Sequence, residues 1–283
     1  MFKRLEQHWR VNSVNLALII TTFALGGSAC GFSARKLLIW MQVEKGVAWW
    51  NFYIILVFLL WPICVTLISI PLGQFSFFKR YIFRIWNRVS GKKKTRVAIF
   101  ASGAGSNAQE IINYFYLSGT VNISLIVCNK PGAGVISIAN KEKIPCLMIK
   151  KEDFLNPQQF IKQLSEHKID FLVLAGFLWK IPEALIKIYP GKIVNIHPAL
   201  LPKYGGPGMY GHFVHEAVIA NHEKESGISI HFVDEQYDHG KLIFQAICPV
   251  NSAETPQTLA QKIHELEHKH YPEELEKIIT SGK

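Results

Sequence analysis

The sequence predicts an α/β fold, a mostly parallel sheet with helices on both faces, preceded by a two-helix transmembrane hairpin. Two observations carry this prediction. Beyond Arg96, short apolar runs alternate with segments of helical pattern, which is typical of βαβ units. Before Arg96 lie two long stretches without a charged residue, and uncharged stretches of this length are rare in soluble folds.

The two apolar stretches have the length of membrane spans. Residues 13–34 and 46–78 contain no charge, and each is long enough to cross roughly 30 Å of hydrocarbon at about 1.5 Å per residue. We expect the spans at about residues 13–34 and 47–73. A cleavable signal peptide or a pair of buried soluble helices would also be apolar. However, the first stretch exceeds the usual signal-peptide core, and a second span follows it.

The positive charge of the chain belongs to its N-terminal third. Residues 1–96 hold fourteen Lys or Arg and two acids, whereas residues 97–283 hold seventeen Lys, no Arg and nineteen acids. The overall formal charge of +10 therefore comes entirely from the N-terminal part. A nucleic-acid-binding domain carries its own basic face, so the charge of the globular part argues against a nucleic-acid partner.

The distribution of cations also predicts a topology for the hairpin. Lys and Arg are more numerous on the outer flanks of the two spans than between them, so the positive-inside rule places both termini and the catalytic part in the cytoplasm. The lipid bilayer is then a partner of the hairpin. Residues 79–94 mix aromatic and basic side chains and are suited to an anionic lipid surface.

Domain boundaries follow from these patterns. We expect the membrane hairpin at residues 1–90, a linker at residues 91–95 and a globular domain at residues 96–283. The five cysteines form no CxxC pair, so they are expected to be buried thiols, and no metal site is predicted.

The globular domain is expected to contain seven strands and a C-terminal helix over residues 256–279. The expected strands cover residues 97–101, 123–128, 146–149, 171–175, 193–196, 227–232 and 242–248. Ligands of open parallel sheets bind outside the carboxyl ends of the strands. The candidate site residues below lie at such ends, in the loop between the last two strands, or on the final helix.

A glycine-rich turn follows the first expected strand. Residues 101–107 read Ala-Ser-Gly-Ala-Gly-Ser-Asn, and the helix that opens at Ser106 directs free N–H groups toward a ligand. This arrangement suits a phosphate, although the run is neither a P-loop nor a complete GxGxxG. A plain tight turn with Ser106 as the helix N-cap is the alternative.

A second sequence motif, at the end of the fifth expected strand, contains two candidate catalytic residues. Residues 195–202 read Asn-Ile-His-Pro-Ala-Leu-Leu-Pro. Asn195 and His197 point to the same side of a strand that Pro198 ends. The run resembles the Asn-x-His-Pro-x-x-Leu-Pro segment of the folate-dependent formyltransferases. The resemblance implies that Asn195 donates a hydrogen bond to a formyl oxygen, and that His197 does the same or moves a proton.

The resemblance implies a third catalytic residue and a fold. This family carries Asp-x-Gly about forty residues after its histidine, which matches Asp238 and Gly240 here. A carboxylate near His197 is expected to favour the imidazolium and to order the water that relays protons. The fold implied is the Rossmann-like formyltransferase fold.

The resemblance narrows to the glycinamide ribonucleotide formyltransferases. It implies that Gly105, Ser106 and Asn107 bind the substrate phosphate, and that Glu267 on the C-terminal helix binds the substrate amine. It implies 10-formyltetrahydrofolate as co-substrate, with no metal. The expected folate contacts are Leu178, Trp179, Lys180, Ile181 and Asn195.

Two features depart from that family. Residues 205–212 read Gly-Gly-Pro-Gly-Met-Tyr-Gly-His where the family often has Pro-Gly-x-His-x-His, so contacts of this loop are not carried over. In addition, no Arg follows Arg96, although arginines often contact the folate carboxylates in relatives. Lysine or backbone groups would have to replace them without bidentate geometry.

The implied activity is transfer of a formyl group from 10-formyltetrahydrofolate to the amine of 5'-phosphoribosylglycinamide, a step of purine biosynthesis, by a membrane-tethered enzyme. Asn195 and protonated His197 would stabilise the formyl oxygen, and Asp238 would accept the amine proton through water. The alternatives are a formyltransferase with another amine acceptor, a formyltetrahydrofolate hydrolase, and a catalytically silent membrane-anchored sensor of folates or nucleotides.

Overall fold

The structure is a computed structural model that describes residues 2–91 and 93–281. The described residues form two compact units. The first comprises the residues up to 91 together with residues 117–119, and the second comprises the remaining residues from 93 onward. The first strand of the second unit begins at Thr95, inside the segment expected to be a linker.

The first unit is helical. Two of its helices are long and apolar enough to cross a membrane, by length and composition. In their most apolar windows only 28% and 11% of the residues are buried, whereas a core helix of a soluble protein would be mostly buried. The helices are α1 (Phe2–Trp9), α2 (Ser13–Trp40), α3 (Val47–Ser69) and α4 (Phe75–Val89).

The ends of the two apolar helices differ from the expected spans. Helix α2 continues past residue 34 to Trp40 and includes Arg35 and Lys36, because both long side chains have good helix propensity. Helix α3 ends at Ser69 instead of residue 73. Pro71 follows two residues after the end of the helix, and it has no N–H group to continue the helical hydrogen bonds.

The second unit is an α/β unit, as predicted. All seven expected strands are present, and their ends differ from the expected positions by at most two residues. In chain order the elements are β1 (Thr95–Ala101), α5 (Ser106–Phe115), β2 (Val121–Cys128), α6 (Gly134–Glu142), β3 (Cys146–Met148), α7 (Lys151–Leu155), α8 (Gln158–Glu166), β4 (Phe171–Leu174), α9 (Glu183–Ile188), β5 (Ile193–His197), α10 (His212–Ala220), β6 (Glu225–Phe232), β7 (Leu242–Pro249) and α11 (Pro256–Ser281).

The sheet is mostly parallel, which confirms the predicted class. Its strand order is β3-β2-β1-β4-β5-β6-β7. The pairs among the first five strands of that order are parallel, and the pairs of β6 with β5 and with β7 are antiparallel. The antiparallel pairing of β6 with β5 matters for the site, because it places His231 and Ser229 of β6 directly beside Asn195 and His197 of β5.

Two hydrophobic cores lie on the two faces of the sheet. Because successive strand residues point to opposite faces, Ile99 of β1 packs in the core formed with α5, α6, α10 and α11, whereas Phe100 packs in the core formed with α8 and α9. Both side chains are fully buried. Full burial of a side chain of this size contributes about 1.5–3 kcal/mol, so the helices are held on both faces as predicted.

Tyr271 anchors the C-terminal helix to two neighbouring strands, β4 and β5. Its side chain is completely buried, and its hydroxyl lies 2.9 Å from the Leu174 carbonyl oxygen and 3.1 Å from the Val194 carbonyl oxygen. Burial raises the pKa of Tyr271 well above its usual value, so the hydroxyl keeps its proton and donates. Glu267 lies one helical turn before Tyr271, and this anchor therefore fixes its height above the sheet.

Replacing Tyr271 with Phe is expected to destabilise the second unit without changing its fold. The change leaves two buried carbonyl groups without their donor, at a cost of about 1–2 kcal/mol, which lowers the Tm by roughly 2–8 °C for a unit of this size. Thermal unfolding of the full-length protein measures this shift. Tyr237→Phe is the matched control, because Tyr237 is exposed; equal shifts in the two variants would contradict the anchoring role.

Candidate functional site

Predicted catalytic residues meet at the carboxyl end of β5. Asn195 is half-buried and His197 is 4% exposed. Asp238 arrives from the loop between β6 and β7, and its carboxylate lies between the other two side chains. Its Oδ1 is 3.4 Å from Asn195 Nδ2, and its Oδ2 is 3.5 Å from His197 Nδ1. The structure therefore brings the three predicted catalytic side chains together.

The imidazole of His197 is held by a backbone carbonyl. Its Nε2 lies 2.7 Å from the Tyr204 carbonyl oxygen. A carbonyl oxygen only accepts hydrogen bonds, so this contact assigns the ring hydrogen to Nε2. In the neutral ring, Nδ1 then carries the lone pair and faces the Asp238 carboxylate.

Two opposing effects act on the protonation of His197. Burial lowers the pKa of His197 below its ordinary value of 6.5, although the Asp238 charge and the Tyr204 carbonyl both act in the opposite direction. The desolvation of the charged ring outweighs the attraction to the carboxylate. At neutral pH, therefore, His197 is a neutral base with a carboxylate beside its lone pair.

Asp238 is held in its ionised form by its neighbours. Burial opposes ionisation of this carboxyl group, but His231, His197 and the Gly206 N–H outweigh burial, and the pKa of Asp238 is lowered. The Gly206 N–H donates to Asp238 Oδ2 at 3.0 Å. Asp238 itself has a positive φ of 52°, which Asp tolerates better than most residues.

The glycine of the Asp-x-Gly pattern has a steric cause. A Cβ atom at Gly240 would lie 1.8 Å from the Phe232 carbonyl oxygen, so no side chain fits there. The close approach lets the loop return to β7 immediately after Asp238. The pattern thus fixes the position of the carboxylate.

The glycine-rich turn lies at the carboxyl end of β1. Gly105 occupies the N-cap of α5 with φ 84°, a conformation that favours glycine. Ser106 is the first residue inside the helix and is exposed, so the alternative in which Ser106 is the N-cap is wrong. The first N–H groups of α5 have no side-chain cap and remain suited to an anion.

Glu267 and Asn107 meet beside this turn. Asn107 Nδ2 donates to Glu267 Oε2 at 2.9 Å, and His264 Nδ1 lies 3.0 Å from the same oxygen. The hydrogen bond to Glu267 raises the pKa of His264. Glu267 is only 4% exposed, and a buried carboxylate is normally held by such partners.

Two buried polar atoms near Glu267 lack a partner among the described residues. They are Oδ1 of Asn107 and Nδ1 of His215. His215 is 4% exposed, and burial lowers its pKa, while the Glu267 charge opposes this shift. Unpaired buried polar atoms are costly, so these two atoms are available to polar groups of a ligand.

The segment expected to contact a folate lies at the carboxyl end of β4. Leu178 is 48% exposed, and its N–H donates to Ser102 Oγ at 3.0 Å, which ties this segment to the glycine-rich turn. Lys180 is exposed, and Trp179 is half-buried. The side chain of Ile181 instead lies in the hydrophobic core, so a ligand contact at this position would involve its backbone.

His231 belongs to the site, although no sequence pattern indicated it. It lies opposite Asn195 in the β5–β6 register and is 2% exposed. Its Nδ1 donates to the Phe232 carbonyl oxygen at 2.8 Å, and its Nε2 lies 3.1 Å from Asn195 Nδ2 and 3.6 Å from Asp238 Oδ1. His231 therefore fixes the orientation of the Asn195 amide.

The loop after β5 also contributes to the site, although no sequence pattern indicated it. The Tyr204 carbonyl and the Gly206 N–H hold His197 and Asp238, but backbone groups leave no side-chain signal. The missed His264 had a signal, because it precedes Glu267 by three residues on one helix, a spacing that brings side chains together.

The second unit matches a known family. A family model described as "Formyl transferase" matches residues 95–275. The phosphoribosylglycinamide formyltransferase of Bacillus subtilis (strain 168) is 35% identical over 189 residues, which are 65% of this chain and 94% of that protein. The chloroplastic phosphoribosylglycinamide formyltransferase of Arabidopsis thaliana is 39% identical over 188 residues, and this chain spans 64% of the length of the plant protein.

Solved structures agree with the sequence matches. Glycinamide ribonucleotide transformylase 1 from Geobacillus kaustophilus superposes with a TM-score of 0.61 at 33% identity, covering 66% of this chain and 100% of that chain. Phosphoribosylglycinamide formyltransferase from Bacillus halodurans gives a TM-score of 0.61 at 35% identity, covering 67% of this chain and 97% of the other. The predicted formyltransferase fold is thereby confirmed.

The protonation of His197 is expected to follow its burial. In the full-length protein, half-protonation of the ring should occur below pH 6.5, because the folded-state pKa is lowered. Asp238→Asn should move this midpoint further down, since the carboxylate raises the pKa of His197. A pH titration of histidine ring signals by NMR measures both. His264 is an internal reference and should titrate above pH 6.5; an upward shift of His197 in Asp238→Asn would contradict the electrostatic argument.

Proposed function

The chain belongs to the formyl transferase family, and from that membership we propose that its second unit transfers the formyl group of 10-formyltetrahydrofolate to the amine of 5'-phosphoribosylglycinamide. The observation that carries the proposal is the constellation of Asn195, His197 and Asp238 at the carboxyl end of β5. The relatives described above are named for this activity. The product belongs to purine biosynthesis.

The substrate is proposed to lie between the glycine-rich turn and the C-terminal helix. Its phosphate would accept hydrogen bonds from the N–H groups at Gly105, Ser106 and Asn107, where the helix dipole favours an anion. Its amine would donate to Glu267. The unpartnered Asn107 Oδ1 and His215 Nδ1 would take part in hydrogen bonds with the polar groups between phosphate and amine.

The folate is proposed to lie along the segment after β4. The half-exposed Leu178 offers apolar surface to a pteridine ring, and exposed Lys180 offers charge to a carboxylate. Trp179 packs against Phe154, with ring centroids 5.6 Å apart, and this contact holds the segment on the protein. The second unit contains no Arg beyond Arg96, so lysine and backbone groups hold the folate.

The site residues supply the groups that formyl transfer requires. The amine nitrogen bonds to the formyl carbon while the bond to folate N10 breaks. During this exchange negative charge develops on the formyl oxygen, and the Asn195 amide stabilises it. The amine loses one proton to neutral His197, whose lone pair at Nδ1 lies beside Asp238, and the carboxylate stabilises the resulting imidazolium. The imidazolium then gives this proton to N10 as the bond between N10 and the formyl carbon breaks, so His197 is neutral again at the end of the transfer.

The hairpin is proposed to tether this enzyme to a membrane. Helices α2 and α3 have the required length and apolarity, and the excess of cations on their outer flanks favours cytoplasmic termini and a cytoplasmic second unit. A removable targeting segment is the competing explanation, because a plant relative is named as chloroplastic. The mostly exposed apolar surface of both helices favours residence in lipid.

His197→Asn in the full-length protein is expected to reduce formyl transfer about 10²–10⁴-fold, the usual contribution of a positioned acid or base. Tetrahydrofolate formation is followed by absorbance, with and without 5'-phosphoribosylglycinamide. His222→Asn is the matched control, because His222 is exposed and has a positive φ that Asn tolerates. Equal turnover without the amine would identify a hydrolase, and silence of the unmodified protein in both mixtures would reject the proposal.

Glu267→Gln is expected to raise the KM for 5'-phosphoribosylglycinamide about tenfold or more, since it removes a hydrogen bond to a charged acceptor. The KM for 10-formyltetrahydrofolate should stay nearly unchanged, because Gln keeps the volume and still accepts from Asn107. Steady-state kinetics with each substrate varied in turn measures the two effects. Glu265→Gln, an exposed position on the same helix, is the control; a rise confined to the folate KM would refute the assignment.

A further inference from the structure

Helix α4 has an apolar surface and a basic surface that formyl transfer does not use. We propose that α4 lies in the plane of an anionic lipid surface, with its apolar arc in the boundary between headgroups and acyl chains. This inference rests on the proposed membrane tethering and not on the catalytic activity. The lipid surface is that of the membrane into which α2 and α3 insert.

One side of α4 is fixed to the hairpin. Phe78 is completely buried, and its ring centroid lies 4.9 Å from that of Phe23 of α2. Phe77 lies 5.6 Å from the Trp9 ring of α1. The Gln74 side chain, just before α4, donates to Asn15 Oδ1 at 3.1 Å. Helix α4 is therefore docked near the start of α2, where the first candidate span meets its basic flank.

The opposite side of α4 is apolar and exposed. At about 100° per residue, Phe75, Phe83 and Trp86 fall within an arc of roughly 80°, and Val89 extends this arc by about 40° toward the side on which Phe78 is docked. Trp86 is 66% exposed and Val89 is 81% exposed. Aromatic and aliphatic side chains on one face of a basic helix are typical of interfacial helices. A lipid boundary would remove this surface from water.

The positive charge of α4 and its flanking residues favours an anionic lipid surface. Residues 46–109 contain no Asp or Glu, whereas residues 79–96 contain eight Lys or Arg. Such clusters next to a membrane span are attracted to anionic headgroups. Lys79 is exposed and lies inside the apolar arc, from which its long side chain reaches the headgroup region. Complementary charge and continuity with α3 thus favour an anionic bilayer over a protein partner.

The experiment uses full-length protein in nanodiscs, with either phosphatidylcholine alone or about 30% phosphatidylglycerol added. Hydrogen exchange of the peptide covering residues 75–89 is followed by mass spectrometry. We expect exchange to slow about tenfold when anionic lipid is present, because bound interfacial helices open less often. Lys79→Gln/Arg84→Gln should remove this protection, whereas the control Lys141→Gln/Lys162→Gln, at exposed positions of the second unit, should keep it.

Each other outcome rejects the proposal in a distinct way. Equal protection in both lipids would overturn the preference for anionic headgroups, and no protection in either would overturn the lipid contact. Trp86→Gln/Val89→Gln retains the cations, so unchanged protection in that variant would overturn the role of the apolar arc. Failure of the chain to co-elute with nanodiscs would overturn the tethering as well. Formyl transfer, assayed with the same samples, would be unaffected by any of these failures.

Discussion

The antiparallel pairing of β5 with β6 is the constraint on which the candidate site depends. It places His231 beside Asn195 and Ser229 beside His197. Ser229 Oγ donates to the Ala199 carbonyl and accepts from the Leu201 N–H, so β6 also holds the turn that follows the catalytic histidine. The same strand then leads into the loop that carries Asp238. A slip of one residue in this register would move all of these contacts to the wrong face of the sheet.

Within that frame, burial and charge act in opposite directions on His197. Burial lowers its pKa, and the nearby carboxylate of Asp238 limits the fall. Because burial outweighs the carboxylate, the imidazole of His197 is neutral before the reaction. Once the ring accepts a proton, the carboxylate stabilises the imidazolium. A catalytic base that is charged only briefly requires both properties. Burial raises the pKa of Asp238, but the hydrogen bond from His231, the charge of His197 and the Gly206 N–H outweigh burial and keep the carboxylate ionised for this role.

Local patterns were sufficient to predict the strands and the shared strand face of Asn195 and His197. The apolar runs predicted the strands to within two residues, and Asn195 and His197 share a face because they are two residues apart. Asp238 was indicated only by the family resemblance, and His231 had no signal because its role depends on the register between two strands. The effect of burial on the pKa of His197 also had no signal, because burial is a property of the assembled core and not of the residues near it in the sequence.

The hairpin presents a different physical problem from the site. Every candidate site residue lies between Gly105 and Glu267, and the family match begins at residue 95, so the chemistry needs no side chain from α1 to α4. Helices α2 and α3 nevertheless expose large apolar side chains along most of their length. Water would oppose such exposure at about 25 cal/mol per Å² of apolar surface. The bilayer proposed above would remove that cost, and it would place the polar and basic residues near the start of α2 and in α4 at the level of the lipid headgroups.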